Sequence, residues 1–377
     1  MTETNKNIEL AKSWLLNSGI QNLEGEHKGS FNSWFDIGKK EYPYAYSEIT
    51  GYGITTLLYL YSIKKEYILL ERAKLAADWL ISKAIHNSGG ILCRYFYKRA
   101  EFMGSFENED IFLFDSGIVL NGMANLYEIT REEKYIEYSK KLADFMIKMQ
   151  KSDGSFYAIY DAKNQRLMDD GEKWSTQSGA FHNKLAIGLL KLYDLTRDEK
   201  YKESAIKVCN YSLGFIKEDG RVVTFSRTED SLFHPHCYAA EGLYVAGRYL
   251  KNEKYLEHSK KAAQYLFNIQ KLGRGIPQFF KDDKLIVYER SDILAQSLRL
   301  GILHSINKEK LDRLAEKILE FQNLSEEQKG GFKYGYDDAG NKYEHINSWC
   351  TMFALQALIL YNQSLEENVN FNEFHLI

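Results

Sequence analysis

The chain has 377 residues, of which 44% are hydrophobic and 14% aromatic, enough to bury a large core in one large domain or two ordinary ones. Its 49 basic and 52 acidic residues are well mixed and give a formal net charge of −3. The sequence contains no stripe of basic residues that would indicate a nucleic-acid surface. It also contains no apolar run that approaches the roughly 18 residues of a membrane span.

The N-terminal sequence and the cysteines indicate a compartment. The first residues, "MTETNKNIELAKSWLL", contain no apolar core of the kind found in signal peptides. The four cysteines are widely spaced and form no CxxC motif. A reduced, cytoplasmic protein is therefore the simplest expectation.

Internal repetition is the strongest feature of the chain. Similar segments begin at Tyr61, Tyr127, Tyr193 and Arg248. Each segment ends one helix, turns through charged residues, begins a second helix near a Glu-(Lys)-Tyr sequence and closes at a glycine-containing turn. Repetition at this length predicts stacked helical hairpins.

The two helices of each hairpin have different patterns. The first is apolar over most of its circumference, as in "GIVLNGMANLY", and is expected to be buried. The second is amphipathic and is expected to lie outside. Six inner helices are predicted to begin, in chain order, at Glu48, Asp115, Gln177, Pro235, Asp292 and Asn347. Six outer helices are predicted to begin near Ile8, Glu66, Glu133, Glu199, Glu253 and Lys308.

Twelve helices in alternating inner and outer order predict an all-α protein, an (α/α)6 toroid in which residues 1–377 form a single domain. Links from inner to outer helices are short, such as "TREEK". Links from outer to inner helices are long and aromatic, and each begins with a glycine turn, which predicts short β-hairpin loops. Function concentrates on such loops, so this end of the toroid is the expected active-site end.

A polar group stands at or near the start of each inner helix, and the toroid is expected to bring these groups into one funnel. Carboxylates can act as acid, base or nucleophile on a sugar, and aromatic side chains can stack on its rings. The candidate catalytic residues are Asp115, Glu241, Glu48 and Asp292. The candidate substrate-binding residues are His182, His236, Arg290, Gln177, Tyr52, Trp174, Tyr238, His345, Asn347 and Trp349.

Capping is the alternative explanation for several of these residues. Asp115 and Asp292 stand where helix N-caps are common. Glu241 is different, because Pro235 suits the first helical turn and places Glu241 nearly two turns inside an apolar helix. A carboxylate there must be paired or must face a wet cavity, and a position in the lumen is our expectation.

A zinc site is a weaker alternative. Its ligands would come from His234, His236 and Cys237, with His345 and Cys350 from a distant segment. This spacing matches no established metal motif. No metal and no cofactor is therefore predicted.

The hairpin count and the "GSF/GGF" loops before inner helices resemble the six-hairpin glycosidase superfamily over nearly the whole chain. Two branches are most similar, the unsaturated uronyl hydrolases and the N-acylglucosamine 2-epimerase-like proteins. The first resemblance implies lumen aspartates that hydrate a Δ4,5-unsaturated sugar, with Asp115 in "FDSGIVLNG" as one of them. The second aspartate would fall in "STQSGAFHNK", where Gln177 and His182 stand. The second resemblance implies a histidine and glutamate pair, similar to His236 and Glu241 in "HPHCYAAEGLY".

The predicted function is a carbohydrate-active enzyme, a glycoside hydrolase acting on an oligosaccharide or acidic sugar. Asp115 would be the general acid/base and Glu241 its partner, and the helix N-termini around the funnel favour an anionic ligand. A sugar epimerase or a polysaccharide lyase is one alternative, with a histidine moving the proton. A non-catalytic glycan-binding protein of a polysaccharide-biosynthesis system is another. No partner beyond the sugar is predicted, and the oligomeric state stays open.

Overall fold

The fold is known from a computed structural model that describes residues 3–98, 110–169, 171, 173–270, 275–367, 369 and 371–377. Parts of two predicted loops, at 99–109 and at 271–274, lie outside the described residues. Within them twelve α-helices alternate between an inner and an outer ring, which confirms the all-α (α/α)6 toroid. In chain order they are α1 (Glu3–Asn17), α2 (Ser47–Lys64), α3 (Tyr67–Trp79), α4 (Leu113–Thr130), α5 (Glu133–Lys148), α6 (Ala186–Thr196), α7 (Glu199–Leu213), α8 (Phe233–Leu250), α9 (Glu253–Ile269), α10 (Ser291–Leu303), α11 (Lys308–Leu319) and α12 (Ser348–Leu365).

The even-numbered helices form the inner ring. Each packs on the next even-numbered helix, and α12 packs on α2, which closes the ring. The odd-numbered helices pack outside their partners, and α1 lies against α12. None of the helices described is long and apolar enough to cross a membrane.

Small residues allow the inner helices to approach closely. A Cβ on Gly51 of α2 would lie 3.0 Å from the backbone of Val119 on α4, and one on Gly122 of α4 would lie 2.9 Å from the Gly51 carbonyl oxygen. The glycine-rich composition of these apolar helices is therefore a packing requirement. It brings the N-termini of α2 and α4 side by side.

The glycine turns interlock successive hairpins. Gly330, at φ +98°, lies so close to α1 that a Cβ would be 2.2 Å from the Leu10 carbonyl oxygen, and Gly220 makes the same contact with Lys261 on α9. Only glycine combines a positive φ with so close a backbone approach. These turn glycines thus fix where their long loops leave the outer ring.

Eleven short strands in the described loops form four small antiparallel sheets at one end of the toroid. They are β1 (Trp34–Phe35), β2 (Tyr44–Tyr46), β3 (Arg94–Phe96), β4 (Asp110–Phe112), β5 (Ile159–Asp161), β6 (Arg166–Met168), β7 (Ser231–Leu232), β8 (Phe279–Lys281), β9 (Lys284–Ile286), β10 (Phe332–Tyr336) and β11 (Lys342–Asn347). Pairing of β1 with β11 joins the first long loop to the last. The β-hairpins predicted at this end are therefore present, and they tie neighbouring loops together.

The third inner helix differs from the prediction. It was expected from Gln177, but the chain is extended at Gln177 and Gly179, passes through a 3-10 segment at Ala180–Leu185, and becomes α-helical only at Ala186. Gly179 weakens a helix at this point because it has the largest backbone entropy to lose. The regular inner helix therefore begins nine residues later than predicted.

Candidate active site

A cavity of about 250 Å3 opens among the N-terminal ends of the inner helices, at the end of the toroid that carries the loops. Its walls are mainly aromatic, and its polar groups include two carboxyl groups and two guanidinium groups. The lining residues are Tyr46, Glu48, Ile49, Tyr52, Arg94, Phe112, Phe114, Asp115, Trp174, Ser175, His234, Tyr238, Arg290, Tyr334 and Trp349. Seven of the fourteen residues predicted for the site therefore line one cavity.

Glu48 and Asp115 are the two carboxyl groups of this cavity. Glu48 is the second residue of α2, Asp115 is the third residue of α4, and these two helices are in close contact. Burial raises the pKa of Glu48 to about 8, helped by the negative charge of Asp115 and opposed by a hydrogen bond from Tyr46 and by Arg94. Burial also raises the pKa of Asp115 to about 6, opposed by the Cys93 thiol and by Arg94.

Asp115 is not a helix cap. The residue before α4 is Phe112, and no side chain caps that helix end. Asp115 is only 4% exposed, and its Oδ2 atom has no hydrogen-bond partner among the described residues. A buried carboxylate oxygen without a partner is costly, so this atom is the clearest sign of a position prepared for a ligand or water.

Two tyrosines line the cavity together with these carboxyl groups. The Tyr52 hydroxyl donates a hydrogen bond of 2.7 Å to the Tyr238 hydroxyl, and both rings are buried. Burial, with nearby negative charges that include Glu48, raises both tyrosine pKa values well above the ordinary value. Both phenols therefore stay protonated and act as hydrogen-bond donors at neutral pH.

Asp292 lies beside the cavity as a fixed anion. Its carboxylate accepts hydrogen bonds from Nε and Nη2 of Arg290 at 3.1 and 2.5 Å and from Nε1 of Trp349 at 3.2 Å. Burial acts to raise the pKa of Asp292, but Arg290 and the other donors outweigh it and hold the pKa below 3.8. Asp292 thus positions Arg290 and Trp349, and its low pKa does not suit a proton donor.

His234 also lies next to Asp292. Its Nδ1 atom lies 2.7 Å from Oε1 of Gln296 and 3.4 Å from Oδ2 of Asp292, and both oxygens are acceptors, so Nδ1 carries the hydrogen. Burial lowers the pKa of His234 to about 4, with Asp292 opposing the shift. The ring is neutral at pH 7, which leaves Nε2 as a proton acceptor.

Glu241 does not line the cavity, contrary to the position expected for it. Its Oε2 atom accepts from Nζ of Lys184 at 2.8 Å, and its Oε1 atom accepts from Nη2 of Arg299 at 2.7 Å. All three side chains are at most 2% exposed. Glu241 is therefore a buried, ion-paired carboxylate and does not face a wet cavity.

Two predicted histidines also lie away from the cavity. His236 is enclosed between backbone groups, with Nδ1 accepting from the Val222 N–H at 3.1 Å and Nε2 bonded to the Ala262 carbonyl at 3.0 Å. His182 is buried against Phe156 and Phe181, and neither ring nitrogen has a partner among the described residues. Burial lowers the pKa of His182 to about 3.

The loops hold three further residues of the predicted site, Gln177, His345 and Asn347. Gln177 accepts from the backbone and side chain of Ser226 through Oε1. The ring of His345 stacks on Trp34 at 5.1 Å. Asn347 is the N-cap of α12, because its Oδ1 atom accepts from the Cys350 N–H.

The cavity wall includes residues outside the fourteen predicted for the site, among them Arg94, His234 and Tyr334, and the sequence indicated His234 only as a candidate zinc ligand. His234 stands in the first turn of an inner helix, so the rule that selected Glu48 and Asp115 applies to it as well. Arg94 and Tyr334 lie on strands β3 and β10, where nothing in the sequence separates them from other loop residues. Among the residues that the structure describes, no group of three or more His, Cys, Asp or Glu side chains is placed to hold a metal.

The family model for Glycosyl Hydrolase Family 88 matches residues 92–268, a span that includes Arg94, Asp115, Trp174 and His234. Among curated proteins no sequence matches the chain.

Many solved structures share the fold. A cellobiose 2-epimerase from Bacillus thermoamylovorans has a TM-score of 0.74 at 13% identity, covering 94% of this chain and 99% of that one. A sugar epimerase from a ruminal bacterium has a TM-score of 0.75 at 12% identity, covering 93% and 98%. An unsaturated glucuronyl hydrolase from Bacillus sp. GL1 has a TM-score of 0.69 at 15% identity, covering 96% and 97%.

These similarities agree with the twelve alternating helices. Identities this low show the fold and leave the reaction open. The uronyl hydrolases and the 2-epimerases, both predicted from the sequence, are found among the structural neighbours. The family match and the shared fold together confirm that this chain resembles the six-hairpin glycosidase superfamily.

Proposed function

We propose that this protein is a carbohydrate-active hydrolase that acts on an acidic sugar, with Glu48 and Asp115 as its acid/base pair. The observation that carries the proposal is the electrostatic coupling of these two carboxyl groups in one cavity, with Oδ2 of Asp115 left without a partner. Carboxyl pairs whose pKa values are pushed apart are the usual means of providing an acid and a base at one pH.

The pKa values assign the two roles. At pH 7 a carboxyl group with a pKa of about 8 holds its proton, and one with a pKa of about 6 is largely ionised. Glu48 is therefore the proton donor to the substrate, and Asp115 accepts the proton of a water molecule whose oxygen adds to the sugar carbon. Hydrolysis of a glycosidic bond and hydration of a Δ4,5 double bond both need this pair of transfers.

The rest of the cavity supports a sugar ring with a negative charge. Tyr46, Tyr52, Trp174, Tyr238 and Trp349 provide aromatic faces and hydroxyl or indole donors. Arg94 provides a guanidinium in the cavity wall whose fork geometry suits a carboxylate, whereas the fork of Arg290 is already bonded to Asp292. The helix N-termini at the cavity add to that preference. Together with the match to Glycosyl Hydrolase Family 88, this favours a uronyl unit as the sugar bound here.

The test is a screen of saturated and Δ4,5-unsaturated uronyl oligosaccharides for turnover, followed by two substitutions. Asp115→Asn and Glu48→Gln should each lower kcat by roughly 10²- to 10⁴-fold, the usual contribution of a general acid or base. Glu133→Gln, on outer helix α5, is the matched control and should leave turnover unchanged. Full turnover by both cavity variants would contradict the assignment.

A sugar epimerase is the second candidate, and the arrangement of His234 favours it. The ring is neutral, borders the cavity and is held through Nδ1 by Gln296 and Asp292, which suits a proton-abstracting base at Nε2. Incubation of candidate sugars in deuterium oxide distinguishes the two functions. Exchange at a ring carbon without bond cleavage, lost in His234→Gln, would support epimerisation and count against hydrolysis.

A further inference from the structure

Tyr52 and Tyr238 lie at the inner side of the cavity, and we call them the tyrosine pair. Tyr52 is the sixth residue of α2, and Tyr238 is the sixth residue of α8. Each lies one helical turn deeper than the polar residue four positions before it, Glu48 on α2 and His234 on α8. All four side chains line the cavity. The tyrosine pair is therefore the floor beneath the groups that can move a proton.

The tyrosine pair joins opposite sides of the toroid. In the inner ring, α4 and α6 separate α2 from α8 on one side, and α12 and α10 separate them on the other. The hydrogen bond of 2.7 Å between the two hydroxyl groups is therefore a contact across the lumen. Phe353 of α12 packs edge-on against both rings, with its centroid 5.3 Å from Tyr52 and 6.4 Å from Tyr238. Packing consequently fixes the positions of both hydroxyl oxygens.

The hydrogen bond gives the two hydroxyl groups different roles. A hydroxyl group has one hydrogen to donate, and Tyr52 donates its hydrogen to Tyr238. The hydrogen of Tyr238 has no acceptor among the described residues, although this side chain is only 1% exposed. Because buried polar groups are normally hydrogen-bonded, this hydrogen is available to a ligand in the cavity. Tyr52 has no hydrogen left for a ligand.

Tyr52 also restricts the direction of the Tyr238 hydrogen. A phenolic hydrogen lies close to the plane of its ring, on one side of the oxygen or the other. Tyr52 donates to the oxygen from one side, so the Tyr238 hydrogen must occupy the other side. The donated bond also polarises the Tyr238 hydroxyl and strengthens the bond that it makes in turn. Tyr52 can therefore act on a ligand through Tyr238.

We propose that Tyr238 donates a hydrogen bond to an oxygen atom of the sugar at the floor of the cavity, and that Tyr52 is a positioning residue that acts through Tyr238. The inference rests on the proposed function in one respect, the binding of an acidic sugar in this cavity. Tyr238 keeps its proton throughout, because burial raises its pKa well above the ordinary value. Its role is thus to bind and orient the sugar while the carboxyl pair transfers protons.

The experiment measures binding in the Asp115→Asn background, so that turnover does not interfere. The probe is a Δ4,5-unsaturated uronyl disaccharide with a neutral second unit, and calorimetry gives its dissociation constant. Tyr238→Phe removes the donor and should weaken binding roughly tenfold. Tyr52→Phe keeps the donor but frees its direction, and should weaken binding roughly two- to fourfold. In a chain that already carries Tyr238→Phe, Tyr52→Phe should have no further effect.

Tyr59→Phe is the matched control. Tyr59 is also buried on α2, its hydroxyl has no partner among the described residues, and it does not line the cavity. This substitution should leave binding unchanged. A loss equal to that of Tyr238→Phe would overturn the proposal, because it would show a general effect of removing a buried hydroxyl group.

Three further results would overturn the role of the tyrosine pair. They are unchanged binding in Tyr238→Phe, a Tyr52→Phe effect that is absent or is the same with and without the Tyr238 hydroxyl, and failure of the disaccharide to bind. The proposed hydrolase function has its own readout, turnover by the unsubstituted protein. Coupled effects of the two tyrosines on binding, without any turnover, would overturn the hydrolase while supporting the tyrosine pair.

Discussion

Glu48 and Glu241 are both carboxyl groups on apolar inner helices, and the same substitution should affect them in opposite directions. Glu241→Gln removes the negative charge between Lys184 and Arg299, which it bonds at 2.8 and 2.7 Å. The three side chains are at most 2% exposed, so water cannot replace the lost interactions. Removing one partner of such a buried pair costs about 3–5 kcal/mol of unfolding free energy.

Lys184 moderates this loss. Burial lowers the pKa of Lys184 to about 8 even with Glu241 raising it, so the lysine can release its proton when its partner is lost. Arg299 cannot, because a guanidinium stays protonated in proteins. The expected loss is therefore about 3 kcal/mol at pH 9, rising towards about 5 kcal/mol at pH 6, where deprotonation of Lys184 is harder.

Glu48→Gln should be neutral below about pH 4.5, slightly stabilising at pH 6 and more stabilising at pH 9. The folded pKa of Glu48 is about 8, above the ordinary 4.5, so folding favours the protonated form. The corresponding stability is complete below pH 4.5 and is lost as the pH rises through 8. At about 1.4 kcal/mol per pKa unit the limit is about 5 kcal/mol. Water in the cavity screens the charge, and we expect about 1–3 kcal/mol.

Urea unfolding of the parent protein and both variants at pH 6 and pH 9 measures these differences in unfolding free energy. The comparison requires that the three proteins show the same dependence of unfolding free energy on urea concentration. A loss below about 1 kcal/mol for Glu241→Gln would refute the view that its ion pairs are buried and structural. A Glu48→Gln effect that does not increase with pH would refute the raised pKa. Either result would require a different arrangement of charges in the lumen.

Three further predictions concern the cavity and its loops. The pH profile of kcat/KM should be bell-shaped, with apparent pKa values of about 6 and about 8 for the Asp115 and Glu48 pair. The reason is that activity needs one carboxyl group ionised and the other protonated. An acid limb near pH 4 would contradict the raised pKa of Asp115. For a hydrolase, His234→Gln should raise KM and leave the bell in place, whereas collapse of kcat with loss of deuterium exchange would favour the epimerase. Asn347→Ala should cost about 1 kcal/mol in urea unfolding through loss of the cap on α12, and Asn347→Asp should restore it.

The fold was predictable because its determinants are local and repeated. The amphipathic helices begin at Glu133, Glu199, Glu253 and Lys308, as the periodicity predicts. The turn glycines recur because, in the five long loops whose turns the structure describes, the turn lies in contact with the backbone of an outer helix. The error in the third inner helix arose where Gly179 and a 3-10 segment interrupt an apolar run, which periodicity alone does not distinguish from a helix.

The sequence also determined which end of the toroid carries the site, because the polar groups stand at the starts of the inner helices. Only the tertiary structure decided which of those groups meet. An inner helix that is apolar all round has no polar face to specify its rotation about its own axis. Asp115 stands in the first turn of α4 and Glu241 about two turns inside α8, and the sequence left both as candidates for the lumen. Packing against neighbouring helices turns Asp115 into the cavity and Glu241 onto Lys184 and Arg299.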